Sequence, residues 1–68
     1  MQMIRLSAEK FVEQIKRVQF GEDGGAAVNL LFADGGRVFG RLIGDGLTFW
    51  TNNAIPKSEV IGIDEFVG

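Results

Sequence analysis

Asn29-Leu30-Leu31-Phe32-Ala33-Asp34-Gly35-Gly36-Arg37-Val38-Phe39-Gly40-Arg41-Leu42-Ile43 is the stretch that decides the fold. Asp34-Gly35-Gly36 joins a side chain that bonds nearby backbone to two glycines that reach positive φ without steric cost. Runs of Val, Leu, Ile and Phe flank it, the sequence form of a β-hairpin. Alternation puts Val28, Leu30, Phe32, Val38, Gly40 and Leu42 on one face. Asn29, Leu31, Arg37, Phe39, Arg41 and Ile43 fall on the other. Both faces carry large apolar groups, so one covers the core and the other calls for a further layer or another subunit. Gly40 interrupts a strand, where glycine marks a sharp bend, a close backbone approach or a bulge.

At 68 residues the chain forms one domain at most, residues 1–68. A chain of this size buries only about 60% of its unfolded surface and is marginal alone. Small domains recruit disulfides, a metal or partner chains. With no cysteine and no histidine, oligomerisation is the remaining device.

Seven basic and nine acidic residues give a formal charge of −2, which argues against nucleic-acid binding driven by bulk electrostatics. The charge is uneven, however. Residues 1–20 hold four basic and two acidic groups, residues 45–68 one basic and four acidic. No apolar run approaches the roughly 20 residues of a membrane span, and the start lacks the apolar core of a signal peptide. The expected location is cytoplasmic.

Upstream of the hairpin, Ser7 is placed as an N-cap, Glu9 suits the positive end of a helix, and Leu6 can staple onto Phe11. Ala8, Phe11, Val12, Ile15 and Val18 recur at helical spacing, predicting a helix over about 7–18. Met3–Arg5 could form a short strand before it. The outer helix face shows Lys10, Glu13, Gln14, Lys16 and Arg17, with Glu13 and Arg17 spaced for an i,i+4 pair. That face reads as solvated charge or, more sharply, as a basic rim for a phosphate backbone. Residues 19–25 form an acidic, glycine-rich connection, which is no phosphate loop because no Gly-Lys-Ser/Thr follows.

Downstream, Gly44-Asp45-Gly46 makes a second turn, Leu47–Thr51 a strand, and Asn52-Asn53 a third turn. Ala54-Ile55 resumes a strand, Pro56 marks an edge, and Val60–Ile63 closes the set. The expectation is mainly β: an N-terminal helix followed by a small, strongly bent five-stranded antiparallel barrel over about 26–64.

The chemistry of an enzyme is missing. Nucleophilic triads need a base that neither histidine nor cysteine can supply here. The carboxylates sit beside turn glycines or on the helix rather than paired in a cleft. Glu22-Asp23 and Asp64-Glu65 could hold a cation through oxygen, but adjacent carboxylates are ordinarily solvated. No catalytic residue, metal site or cofactor is expected.

Asp34-Gly35-Gly36-Arg37-Val38-Phe39-Gly40-Arg41-Leu42 resembles the first motif of Sm-like proteins. Ile55-Pro56-Lys57-Ser58-Glu59-Val60-Ile61-Gly62-Ile63 resembles the second, especially in the bacterial Hfq branch. Pro56 and Ser58 stand where that branch has an aromatic residue and a histidine, and the segment from Ile43 to Ile55 is short for the family. The resemblance covers residues 7–63 loosely. It implies an Sm-like or SH3-like barrel that pairs edge strands between neighbours into a homo-oligomeric ring, with Phe39, Ile43, Trp50 and Ile61 at the interface. It further implies single-stranded RNA near the pore, met by Lys57, Ser58, Asn52 and Asn53, with Lys16 and Arg17 as a basic rim. Base stacking needs an aromatic platform, for which Phe49 and Trp50 lie nearest.

The competing expectation is a structural or protein-interaction module, of phage or mobile-element type, that keeps the barrel without an RNA role. Its motivation is the acidic balance and the missing stacking residues. A monomeric peptide-binding barrel of the Src-homology type would need an exposed aromatic cluster, and the chain has no tyrosine.

Overall fold

A computed structural model of the chain describes residues 1–44 and 46–65, apart from the side chains of Ala8 and Glu65. The elements in order are β1 (Gln2–Arg5), α1 (Ala8–Arg17), β2 (Gly25–Phe32), β3 (Arg37–Ile43), β4 (Thr48–Thr51) and β5 (Val60–Glu65). The five strands form one antiparallel sheet in the order β1-β4-β3-β2-β5.

The β2–β3 hairpin is the centre of that sheet. Asp34 Oδ1 accepts from the Gly36 amide at 2.8 Å, and Gly35 takes φ 90°. The turn thereby fixes a register in which Leu30 faces Val38 and Val28 faces Gly40. Alternation then buries Val28, Leu30, Phe32, Val38 and Leu42 on the inner face, as the sequence predicts. Phe49 of β4 joins them with no exposed surface, a burial that stabilises by about 1.5–3 kcal/mol. Gly40 is buried against β4 because a side chain there would strike the Phe49 ring and the Trp50 carbonyl. It is a close-approach glycine, one of the roles open to it.

Helix α1 caps one end of this core. Ser7 Oγ accepts from the Lys10 amide at 3.3 Å, and Leu6 and Phe11 both enter the core cluster, the arrangement a hydrophobic staple requires. Glu13 and Arg17 form no ion pair among the described residues. Lys10 instead reaches across to Glu59 in the loop before β5, and α1 packs against β5.

Three expectations are corrected. The helix is not followed by five strands: β1 precedes it and four strands follow. Met3–Arg5 belongs to β1, where Ile4 faces Phe49 and the Leu6 amide donates to the Leu47 carbonyl at 2.6 Å. Ala54-Ile55 forms no strand. Pro56 lacks an amide hydrogen for a ladder, and β1 occupies the outer side of β4 that those residues would have taken. Finally, the strand order leaves β1 and β5 as the two edges, so the ladder is an open sheet rather than a closed cylinder. A register shift at Leu31/Phe32 in the β2–β5 pairing interrupts the ladder near one of those edges. Such irregularities bend the strand that carries them.

Candidate binding surface

The outer face of the sheet is set by the same alternation that fills the core. Trp50 of β4 lies opposite Met3 of β1 on one side and Arg41 of β3 on the other, and Arg41 lies opposite Ala27 of β2. One step along β3, Phe39 is 47% exposed; Met3 is 51% exposed. Ile43 is also exposed and Trp50 is half-buried. Ala27, Phe39, Arg41, Ile43 and Trp50, together with Met1, Asn52 and Asn53, border an open groove of about 610 Å³.

The groove has an apolar floor and a polar rim. At one end Thr51 Oγ1 donates to the Phe39 carbonyl at 2.8 Å and Asn53 Nδ2 donates to the same oxygen at 3.1 Å. The Asn53 amide in turn donates to Thr51 Oγ1 at 3.0 Å. This network ties the Asn52-Asn53 bend to β3 and fixes the groove's wall. At the other end Arg41 lies over Gly25 and pairs with Asp23, whose second oxygen accepts from the Gly25 amide at 3.1 Å.

Of the residues expected at an oligomer interface, Phe39, Ile43 and Trp50 share this groove, whereas Ile61, 55% exposed, stands on edge strand β5. Of those expected to meet RNA, Asn52 and Asn53 line the groove. Lys57 is exposed in the loop between β4 and β5, and Lys16 and Arg17 are exposed in the last turn of α1. Arg17 borders a separate, smaller depression with Asp64. Ser58 is half-buried, and its hydroxyl oxygen is buried without a hydrogen-bond partner. The six expected RNA contacts are therefore spread over three places.

Phe49 offers no stacking platform, since it belongs wholly to the core. The exposed aromatic face is that of Phe39. Sequence reasoning placed Phe39 and Arg41 on this face but did not name Arg41 as a site residue, and it missed Met1 in the groove and Met3 beside Trp50. Alternation carried the signal for Arg41, while Met1 and Met3 depend on where β1 pairs.

Among the described residues no group of three or more acidic, histidine or cysteine side chains converges as metal ligands would. Asp23 of the Glu22-Asp23 pair is engaged by Arg41, and the side chain of Glu65 lies outside the described residues. The Lys10 ammonium holds the Glu59 carboxyl below its ordinary pKa, by hydrogen bond first and by charge second. No helix among the described residues is long and apolar enough to cross a membrane.

No protein-family model, curated protein or solved structure matches this chain.

Proposed function

We propose that this protein is an assembly module of the Sm-like kind, in which the curved sheet of one copy pairs edge to edge with the next and closes a homo-oligomeric ring. The observation that carries this reading is the pair of unpaired edges, β1 and β5, bounding a five-stranded antiparallel sheet. Each edge bears an exposed apolar side chain, Met3 on β1 and Ile61 on β5. A free edge is a template for another chain unless charge, proline or a covering element blunts it. Joining unlike edges is a heterologous contact, which closes into a ring when the rotation permits. The small size of the chain supports the same reading, because burial between copies supplies what a 68-residue core lacks.

The test is absolute mass in solution by light scattering. A defined multiple of the protomer mass that Ile61→Lys reduces to the monomer supports edge pairing. A monomer at all concentrations overturns it.

A second reading adds single-stranded RNA as the ring's ligand. It is favoured by Lys16, Arg17 and Lys57, exposed cations that form no ion pair among the described residues. Binding of U- or A-rich RNA that weakens with salt and with Lys57→Ala would carry it. Absence of binding at low salt leaves the protein-interaction module alone.

A further inference from the structure

Edge pairing uses the rims of the sheet and leaves its outer face open. On that face the groove floor is formed by Phe39, Trp50, Ile43 and Met1. Aromatic residues, methionine and arginine are the residue types enriched in protein interfaces. A volume of about 610 Å³ lies within the range of sites that take a drug-sized ligand, enough for a few side chains of a longer segment.

Charge on this face differs from that of the chain as a whole. By strand alternation Arg5, Arg37 and Arg41 share the outer face, so three of the seven basic residues lie there. No described carboxylate borders the groove. The helix carries Glu9 and Glu13, and the turns and the loop before β5 carry Glu22, Asp34 and Glu59, whereas Asp23 pairs with Arg41 and Asp64 of β5, opposite Asn29, shares the outer face. Arg41 thus borders the groove, with Arg5 and Arg37 on the same face beyond it.

We propose that the outer sheet face is a docking site for an extended peptide segment of a partner protein, one that alternates apolar residues with carboxylates. The apolar side chains enter between Phe39, Trp50 and Ile43. The carboxylates meet Arg37 and Arg5, which form no ion pair among the described residues, and compete with Asp23 for Arg41; an arginine fork matches a carboxylate in geometry as well as charge. Asn52 at the rim offers amide donors and an acceptor to the peptide backbone. Beside its two aromatic rings the groove is lined by Met1, Ile43 and Ala27, aliphatic groups that suit peptide side chains better than bases.

The experiment is selection from a display library of random twelve-residue peptides on the intact protein. Affinity is then followed through Trp50, the single tryptophan in a chain without tyrosine. The expected result is enrichment of peptides combining aspartate or glutamate with leucine, isoleucine or phenylalanine. Selected peptides should shift Trp50 emission saturably, lose at least tenfold in affinity with Phe39→Ala, and weaken with Arg37→Gln and with salt. Phe39 is exposed, so Phe39→Ala is expected to fold, and circular dichroism verifies this. Enrichment of basic or charge-neutral peptides overturns the proposal, as does no enrichment. It is also overturned if U-rich RNA, and not the selected peptides, moves Trp50, or if Trp50 shifts with protein concentration alone, which would show a second copy covering the face. Because Ile61→Lys breaks edge pairing without touching the groove, peptide binding by that variant separates this inference from the assembly reading.

Discussion

Gly40 of β3 lies so close to Phe49 of β4 that a β-carbon at position 40 would stand 2.8 Å from the ring's Cε1, and nearer still to its Cζ and to the Trp50 carbonyl oxygen. The ring has no exposed surface and cannot swing aside, and the carbonyl is backbone. Overpacking of this kind costs about 1–3 kcal/mol or more. A domain of this size has a total stability of only about 3–10 kcal/mol. Gly40→Ala is expected to lower the urea midpoint sharply or to prevent folding. A midpoint within experimental error of the parent would show that β3 and β4 are not in this contact.

Gly25 gives the opposite expectation from a similar distance. A β-carbon there would lie 2.5 Å from Arg41 Nε and 2.8 Å from Nη2, but a guanidinium is the free end of a flexible side chain. Gly25→Ala should displace Arg41 from Asp23 and cost no more than the roughly 0–1 kcal/mol of an exposed ion pair. The same displacement should alter peptide binding more than it alters stability. Chemical denaturation beside Trp50 titration reads both.

Ser58 buries a hydroxyl oxygen without a partner. An unsatisfied buried polar atom costs about 1–3 kcal/mol, so Ser58→Ala should be neutral or should raise the melting temperature. A loss of stability would mean that the hydroxyl bonds to something in solution. If the variant also lost RNA binding, that partner would be at the ligand site.

The Lys10–Glu59 pair sets an acid-side dependence. Because Lys10 lowers the carboxyl pKa in the folded protein, its contribution is present above the unfolded carboxylate range and is lost as pH falls through the lowered folded value. Lys10→Gln should therefore reduce the melting temperature slightly at neutral pH, and the difference should vanish in acid. Both side chains are well exposed, so added salt should shrink the effect. A difference that grew as the pH fell would contradict the pairing.

What was legible in the sequence follows from the range of each signal. The period of two in 28–42 is local, and it gave the buried set Val28, Leu30, Phe32, Val38 and Leu42 together with the outward Phe39 and Ile43. Ser7, Leu6 and Phe11 are likewise local, and the helix they start runs from Ala8 to Arg17. Strand β1 was less legible, because four residues, Gln2–Arg5, are too few to show periodicity. Ala54-Ile55 carries strand-like residues but loses its place in the ladder to β1. The groove was legible only in part: Phe39, Ile43 and Trp50 were grouped as an interface, but Met1 joins Phe39 and Trp50 only through the β1–β4–β3 order.

By itself, then, the sequence determined a mainly β chain built on one hairpin, a capped helix near its start, and an apolar surplus that a single core does not absorb. These rest on backbone turn preferences, side-chain alternation and capping, each acting over a few residues. Tertiary structure alone decided which strands became edges, that the N-terminal segment pairs with β4, and that Trp50 stands between Met3 and Arg41. Those outcomes depend on competition between distant segments for the same hydrogen-bonding edge. In that competition β1 wins because it offers backbone amides where Pro56 offers none, and because Ile4, opposite Phe49, packs against the core as it pairs.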